Sequence, residues 1–436
     1  MSRSLAEWLS YIEKLHDRAW DPGLERVGEV GRRLEVLEPG KQTILVAGTN
    51  GKGSTCEYLE KLALKQGLST GKSTSPHLRH FNERIVLNGV PATELEICTA
   101  FALIEDARKE ISLSYFEFST LAALVLFKRH QVDLAILEIG LGGRLDAMNI
   151  VNPNASVIMK IALDHQSWLG DSLELIGREK AGIMRAGVPC ILAEEHPPAS
   201  IISFALELGV PLFRCPPSFG EQGGQVYFSN SEMENLPSGH LPRESFWAAI
   251  QTLQCLNHPP TQIEANEVLL DTRLPGRFQV EQIPQTHPLL ANMTKNEPLL
   301  TLIFDVAHNP DAAQRLSDKL MEKFPGRSFQ AIFAVYEDKD YTAMLDTLAP
   351  LVNRWFLANI DEKRAADPEI ISATLAELGE LEVSTYDKVT LACAAAVDAR
   401  NEYQPEGAIL LVFGTFPLVA AALSYFEIPI DSFHDR

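Results

Sequence analysis

A chain of 436 residues is too long for one ordinary hydrophobic core, so two domains are expected. Its 46% hydrophobic and 22% charged residues describe a globular protein, and a net charge of −20 argues against a general nucleic-acid binder. The opening stretch MSRSLAEWLS carries no apolar core of signal-peptide length, no apolar run reaches membrane-crossing length, and six scattered cysteines without a C-x-x-C pair fit reduced thiols in a cytoplasmic protein with no membrane partner.

Residues 1–40 read as helical, with a turn at Asp21-Pro22-Gly23. The run Ile44-Leu45-Val46-Ala47 reads as a strand; it meets a glycine-rich turn, Gly48 to Gly53, and then a helix that continues to Gly67. Together they build an anion site. Glycines let backbone N–H groups close round a phosphate, the helix start adds partial positive charge, and Lys52 adds a full one. Ser54 or Thr55 offers a hydroxyl to a phosphate or its magnesium. The spacing departs from the common phosphate-loop pattern, because Val46 stands where that pattern has its first glycine. A solvated lysine on a plain turn is the blander reading; the strand before and helix after favour a nucleoside triphosphate. Lys72, Arg79 and Arg84 are expected to line a cleft for anions despite the acidic balance.

Farther on, Phe116 to His130 is expected as a helix, and Asp133 to Ile139 as a buried parallel strand. Strands are expected at Ala155 to Ile161 and Val188 to Leu192, with a helix from Ser172 to Ala186 between them, which indicates a sheet wrapped by helices. Phe213 to Ser238 turns polar and Gly/Pro-rich, as in a hairpin excursion, before a helix near Glu244 to Leu256. The proline-rich Ile283 to Pro298 reads as an interdomain linker. The expected division is therefore 1–284, a linker at 285–298, and 299–436. The second domain restarts the α/β pattern: strands at Leu299 to Phe304, Phe329 to Ala334, Arg354 to Ala358 and Ala408 to Phe413, with a helix after Pro310.

Several polar residues follow expected strands, where open α/β sheets bind ligands. Glu138 closes an apolar strand, and a carboxylate there is costly unless it is ion-paired or holds a metal. Asp164 and His165 follow the next strand. A lone histidine is usually a packing residue, but with Glu138 and Ser75 it completes a hydroxyl, a carboxylate and an imidazole. With phosphate oxygens and water these make a magnesium or manganese site. Lys180 has apolar helical neighbours, and on spacing alone it reads as solvated. In Asp305 to Asp311, Asn309 suits an N-cap, Pro310 the first helical position and Asp311 the first turn. Capping leaves Asp305 and His308 unexplained. Arg277, on a Pro-Gly turn, is placed to clamp phosphate across a domain cleft.

Taken together, "GTNGKGST", "TSPHLRHFNERI", "SYFEFSTLAAL", "LEIGLGGRLDAMNIV", "LDHQSWLG", "IGREKAGI", "LPGRF", "DVAHNPDAA" and "VFGTF" resemble the Mur ligase superfamily, in its bifunctional dihydrofolate synthase/folylpolyglutamate synthase branch. The resemblance runs through nearly the whole chain. It implies an α/β fold: a P-loop-type, mostly parallel sheet wrapped by helices as the ATP-binding domain, plus a smaller Rossmann-like C-terminal domain that carries glutamate ligation. It also implies an ATP-dependent ligase joining L-glutamate to dihydropteroate and to tetrahydrofolates through an acyl phosphate. By resemblance, Thr49, Asn50, Gly51, Lys52, Gly53 and Ser54 hold ATP, with Arg277 and Asp305; Ser75, Glu138 and His165 ligate magnesium, one or two ions being implied. Lys180 matches a lysine that is carbamylated in the family, and His308 lies by the phosphates. Lys52, Lys180 and His308 are then the catalytic set. For dihydropteroate the resemblance points to Lys14, Leu15, His16 and Asp17, to Ser114, Tyr115, Phe116 and Glu117, and to Leu145, Asp146 and Ala147. Lys339 and Asp340 match a C-terminal segment. Ser245 stands where relatives have an asparagine touching ATP. The family suggests a monomer. Two related readings remain: a cell-wall peptide ligase of the same superfamily, and a synthase confined to polyglutamylation. A phosphotransferase or nucleotide switch would leave the second domain without a role.

Overall fold

The structure is a computed structural model and describes residues 3–17, 21–283, 300–380, 382–399 and 408–429. The chain forms two compact units, Met1–Thr272 and Arg273–Arg436.

The first unit is built on an eight-stranded sheet. Its strands are β1 (Gln42–Ala47), β2 (Thr70–Ser73), β3 (Ile85–Leu87), β4 (Val90–Pro91), β5 (Leu134–Glu138), β6 (Ala155–Ile158), β7 (Cys190–Leu192) and β8 (Leu212–Arg214), in the order β4-β3-β2-β5-β1-β6-β7-β8. From β2 to β8 all pairings are parallel, and β3 and β4 add an antiparallel edge. Strands β5 and β6 are buried along their whole length, as a sheet covered by helices on both faces requires. Leu45, Ala47, Leu137 and Ile158 share a core with Phe118, Leu121 and Leu124 of the helix Tyr115–His130. That helix starts at a capping box, in which Ser114 and Glu117 satisfy each other's backbone N–H groups. Helix Lys52–Lys65 packs on β1, β2 and β5 and against helix Arg243–Cys255. The excursion expected at 213–238 is a three-stranded antiparallel sheet of β9 (Gly220–Gln222), β10 (Gln225–Tyr227) and β11 (Glu232–Glu234).

The second unit carries a six-stranded sheet. Its strands are β12 (Gln279–Ile283), β13 (Leu300–Asp305), β14 (Phe329–Phe333), β15 (Val352–Ala358), β16 (Val383–Tyr386) and β17 (Ile409–Phe413), ordered β12-β13-β17-β14-β15-β16. All pairs are parallel except β12 with β13. This pairing moves the expected boundary. Residues 279–283 pair with 300–304, so they belong to the second sheet, and the chain divides after Thr272 rather than after residue 284. The linker expected at 285–298 lies outside the described residues. Strand β16, half-buried along its length, carries no apolar run and was not legible. Among the described residues no helix is long and apolar enough to cross a membrane.

Candidate active site

Strand β1 lies between β5 and β6; the chain runs from β1 to β2 on one side and from β5 to β6 on the other, and open α/β sheets take ligands at the C-terminal strand ends where the order so reverses. The chain leaves β1 through Gly48 and Gly51, at φ 150° and 88°. A Cβ on Gly48 would lie 2.7 Å from Met159 Cβ, so only glycine fits there. Gly51 is the N-cap of helix Lys52–Lys65. The Thr49 N–H donates to the Lys160 carbonyl at 2.7 Å and its hydroxyl to that of Ala162 at 3.1 Å, tying the loop to the segment after β6. Lys52 Nζ donates to the carbonyls of Gly48 and Thr49 at 3.0 and 3.2 Å. Gly53 and the buried Ser54 lie in the first helical turn, and Asn50 sits in the loop. The Thr55 hydroxyl instead turns back to the Gly51 carbonyl at 2.9 Å and is wholly buried, which removes it as a phosphate contact.

Lys180 is not the solvated residue its spacing suggests. It is 4% exposed, and its Nζ donates to the same Gly48 carbonyl at 3.0 Å. Burial first, then the Lys52 charge, bring its amine from 10.5 down to about 7, against the opposing pull of Asp164 and Asp146. Glycine allows this packing: a Cβ on Gly143 would stand 2.8 Å from the Glu179 carbonyl, so the 140–146 loop lies directly on helix Leu173–Ala181. Asp146 holds that loop, accepting from the N–H groups of Leu141 and Met148 at 2.9 Å each. Burial raises its carboxyl to about 6. Leu145 and Ala147 flank it, and Ala147 opens a short 3-10 turn.

Glu138 ends β5, opposite Val46, and accepts from the Ser75 N–H at 2.9 Å. His165 follows β6, at φ 52°, its N–H donating to Asp164 Oδ1 at 2.8 Å. The expected metal ligands thus come from strands on either side of β1, with Ser75 and Glu138 joined directly. Two oxygen donors and an imidazole suit magnesium or manganese. Among the described residues no group of three or more His, Cys, Asp or Glu could hold a metal by itself.

A separate polar network joins two of the segments expected to bind substrate. His16 Nδ1 lies 2.5 Å from Ser112 Oγ, and its Nε2 lies 3.3 Å from Asp21. Arg26 bridges Asp21 at 2.6 Å and the buried Glu117 at 3.0 Å, and Glu117 accepts from the Ser114 N–H at 2.7 Å. Of Lys14, Leu15, His16 and Asp17, only His16 reaches this network among the described residues. Phe116 packs on Gly140, where a Cβ would lie 2.6 Å from the ring. Asp21 and Arg26 were missed, because nothing local distinguishes them from solvated charges.

Lys72 contradicts expectation. It is buried, with Glu57 and Glu60 of helix Lys52–Lys65 each 2.5 Å from its Nζ, so it neutralises an internal acidic pair and lines no cleft. Those carboxylates drive its amine upward against the desolvation that burial imposes. Ser245, at the departure from the asparagine pattern, donates to the Gly51 carbonyl at 3.3 Å and stands at the phosphate loop.

In the second unit Asp305 ends β13 and accepts from the N–H groups of Phe278 and Ala307, both at 2.8 Å. Burial raises its carboxyl while Arg277 opposes the rise. The Arg277 guanidinium lies 5.2 Å from the Phe416 ring centre, and the His308 ring lies 6.4 Å from the same ring. Asn309 caps helix Pro310–Lys323, as its position implied. Arg277, Asp305 and His308 therefore gather at one end of β13, with Phe416 from the segment after β17. Lys339 is buried, and Asp340 caps helix Tyr341–Leu348.

This geometry agrees with what known proteins show. The Mur ligase glutamate ligase domain matches residues 291–416. The dihydrofolate synthase/folylpolyglutamate synthase of Escherichia coli K12 is 38% identical, over 97% of this chain and 96% of its own. The chain belongs to the dihydrofolate synthase/folylpolyglutamate synthase family. A solved structure of E. coli FolC in complex with DHPP and ADP superposes with a TM-score of 0.87 at 37% identity, covering 98% of each chain. Another solved member, with Mn, AMPPNP and L-glutamate bound, gives 0.86 at 37% identity over 98% of this chain and 99% of that one. The expected α/β architecture and the family resemblance are both borne out. The glycine loop, the metal-type donor set and Lys180 are thus features of a chain in a family of ligases.

Proposed function

We infer that this chain is an ATP-dependent amide ligase that adds L-glutamate to dihydropteroate and to tetrahydrofolates, through an acyl phosphate, releasing ADP and phosphate. The observation that carries this reading is the loop at the end of β1, where Lys52 and Lys180 converge on the Gly48 carbonyl beside the Glu138–Ser75 pair. A carboxylate resists attack by an amine because oxide is a hopeless leaving group. Transfer of the γ-phosphoryl group makes phosphate the leaving group instead, and the glutamate amine can then displace it.

Each residue has a role in this reading. Thr49 to Ser54 present backbone N–H groups to the ATP phosphates, and Lys52 neutralises the charge on the transferring group. Ser75, Glu138 and His165 hold the divalent metal ion, which supplies Lewis-acid neutralisation of the phosphate oxygens. Lys180 is in the right state to be carbamylated, since an amine that loses its proton near neutrality is nucleophilic toward carbon dioxide. Arg277, Asp305 and His308, gathered at one end of β13, are the further residues to which this reading gives a role with ATP. Ser114 to Glu117, Leu145 to Ala147 and His16 frame the pterin substrate. The enzyme acts as a monomer in the cytoplasm.

The test is a panel of acceptors scored by glutamate-dependent ADP release. Dihydropteroate and tetrahydrofolate should each support release, and a muramoyl peptide should not. Release with tetrahydrofolate alone would restrict the enzyme to polyglutamylation; release with the peptide alone would overturn the folate reading.

A further inference from the structure

Arg84 closes the 3-10 segment Phe81–Arg84, between β2 and β3 of the first sheet. Its Nε donates to His77 Nδ1 at 2.7 Å. Its guanidinium lies over two rings, 5.8 Å from the centre of Phe81 and 5.6 Å from that of Tyr115. No carboxylate pairs with it among the described residues, and neither Nη nitrogen is sealed away as a buried orphan. A half-buried guanidinium with one of its donors used and no counter-ion is unfavourable by itself. Burial lowers its proton affinity, and Tyr115 (once ionised at high pH), Glu138 and Glu83 oppose that. His77 keeps the arrangement fixed: with Nδ1 accepting, the ring stays neutral, and burial followed by the Arg84 charge brings it down to about 4.

We propose that Arg84 is the docking cation for the carboxylate of the acceptor substrate, its two Nη nitrogens forming a bidentate pair with that group before it is phosphorylated. The proposal rests on the folate reading above and names a residue which that reading left without a role. Three features of the site select this ligand. A planar fork with both Nη nitrogens open matches a carboxylate better than a phosphate already held by Lys52. The half-buried ring of Tyr115 beside the guanidinium suits a carboxylate borne on an aromatic ring, as in the 4-aminobenzoate end of dihydropteroate, rather than an aliphatic amino acid, while Phe81 is core packing beneath Arg84. Glu138, close enough for its charge to act on Arg84, places the docked group beside the expected metal ligands.

The experiment is calorimetric titration of the full chain with two ligands: dihydropteroate, and its analogue carrying aniline in place of 4-aminobenzoate. Wild type is compared with Arg84→Met and with Arg84→Gln, which keeps a planar amide beside His77 should the methionine variant fail to fold. Loss of a charge-assisted pair should weaken dihydropteroate binding by about 10- to 100-fold, with the analogue unchanged. In turnover, KM for dihydropteroate should rise while KM for ATP stays constant. Equal weakening of both ligands would assign Arg84 a merely structural role and overturn the proposal. Unchanged dihydropteroate affinity, or a rise confined to KM for glutamate, would overturn it as well. If wild type bound neither pteridine, the folate reading itself would fall and the proposal with it.

Discussion

Replacing Lys180 with methionine isolates the consequence of burying an amine beside a second lysine. The folded amine titrates near 7 against an ordinary 10.5, a gap of about 5 kcal/mol at one fully buried side chain. Because the folded value lies below the unfolded one, the unfolded chain holds the extra proton between those two pH values. Stability is therefore lost as pH falls from 10.5, and the penalty is complete below about 7. Lys180→Met carries no such penalty. Between about pH 6 and pH 9 the wild-type chain should gain about 3 kcal/mol relative to the variant, most of the linkage available in that window. Urea unfolding of both proteins in carbon-dioxide-depleted buffer at the two pH values measures the difference directly, and subtraction cancels the titration of groups that do not interact with Lys180. Parallel profiles would refute the account of Lys180. The same pair tests carbamylation: labelled bicarbonate should give a carbamate carbon resonance in wild type alone. Short carboxylic acids should restore activity to Lys180→Ala.

Lys52→Ala should lower ADP release by about 100-fold or more with either acceptor while leaving the circular dichroism spectrum unchanged; full turnover would remove Lys52 from the phosphate site. Gly48→Ala places a methyl group 2.7 Å from Met159 Cβ, so the loop must shift, and kcat/KM for ATP should fall by about 100-fold, read from initial rates. Lys72→Met removes the closest cation from the buried Glu57 and Glu60, leaving Glu57 with Lys61 at 3.9 Å, and should cost about 3–5 kcal/mol in urea unfolding. Adding Glu57→Gln and Glu60→Gln should recover most of that loss, and failure to recover would mean that Lys72 acts through packing.

How far the sequence could be read depended on whether the signal was local. Apolar strands such as β5 and β17, and helix starts such as Asn309-Pro310, carry their evidence in adjacent residues, and the structure has them within a few positions. The glycine loop after β1 was equally legible as a loop, because strand, glycines, lysine and helix are consecutive. Lys180 was not legible by spacing: its burial depends on Gly143 and Gly182 admitting the 140–146 loop, and that contact spans distant segments. Lys72 misled for the opposite reason. The two glutamates at i and i+3, set among the apolar Cys56, Leu59 and Leu62, were the available sign that a cation from elsewhere must reach inside. The Asp21–Arg26–Glu117 bridge joins residues far apart in the chain, so no spacing rule finds it. Strand β12 pairs across a polar, proline-bearing stretch, and composition there suggested a boundary where hydrogen bonding makes an edge strand.

One oxygen atom, the carbonyl of Gly48, receives both Lys52 and Lys180. The positive charge of Lys52 is among the causes that make Lys180 shed its proton, so any anion that quenches the first amine returns proton affinity to the second. If nucleotide phosphates are the anion at Lys52, as proposed above, nucleotide affinity and the acid–base state of Lys180 are coupled quantities. By reciprocity, the pH dependence of ATP binding and the ATP dependence of this titration must report one and the same free energy.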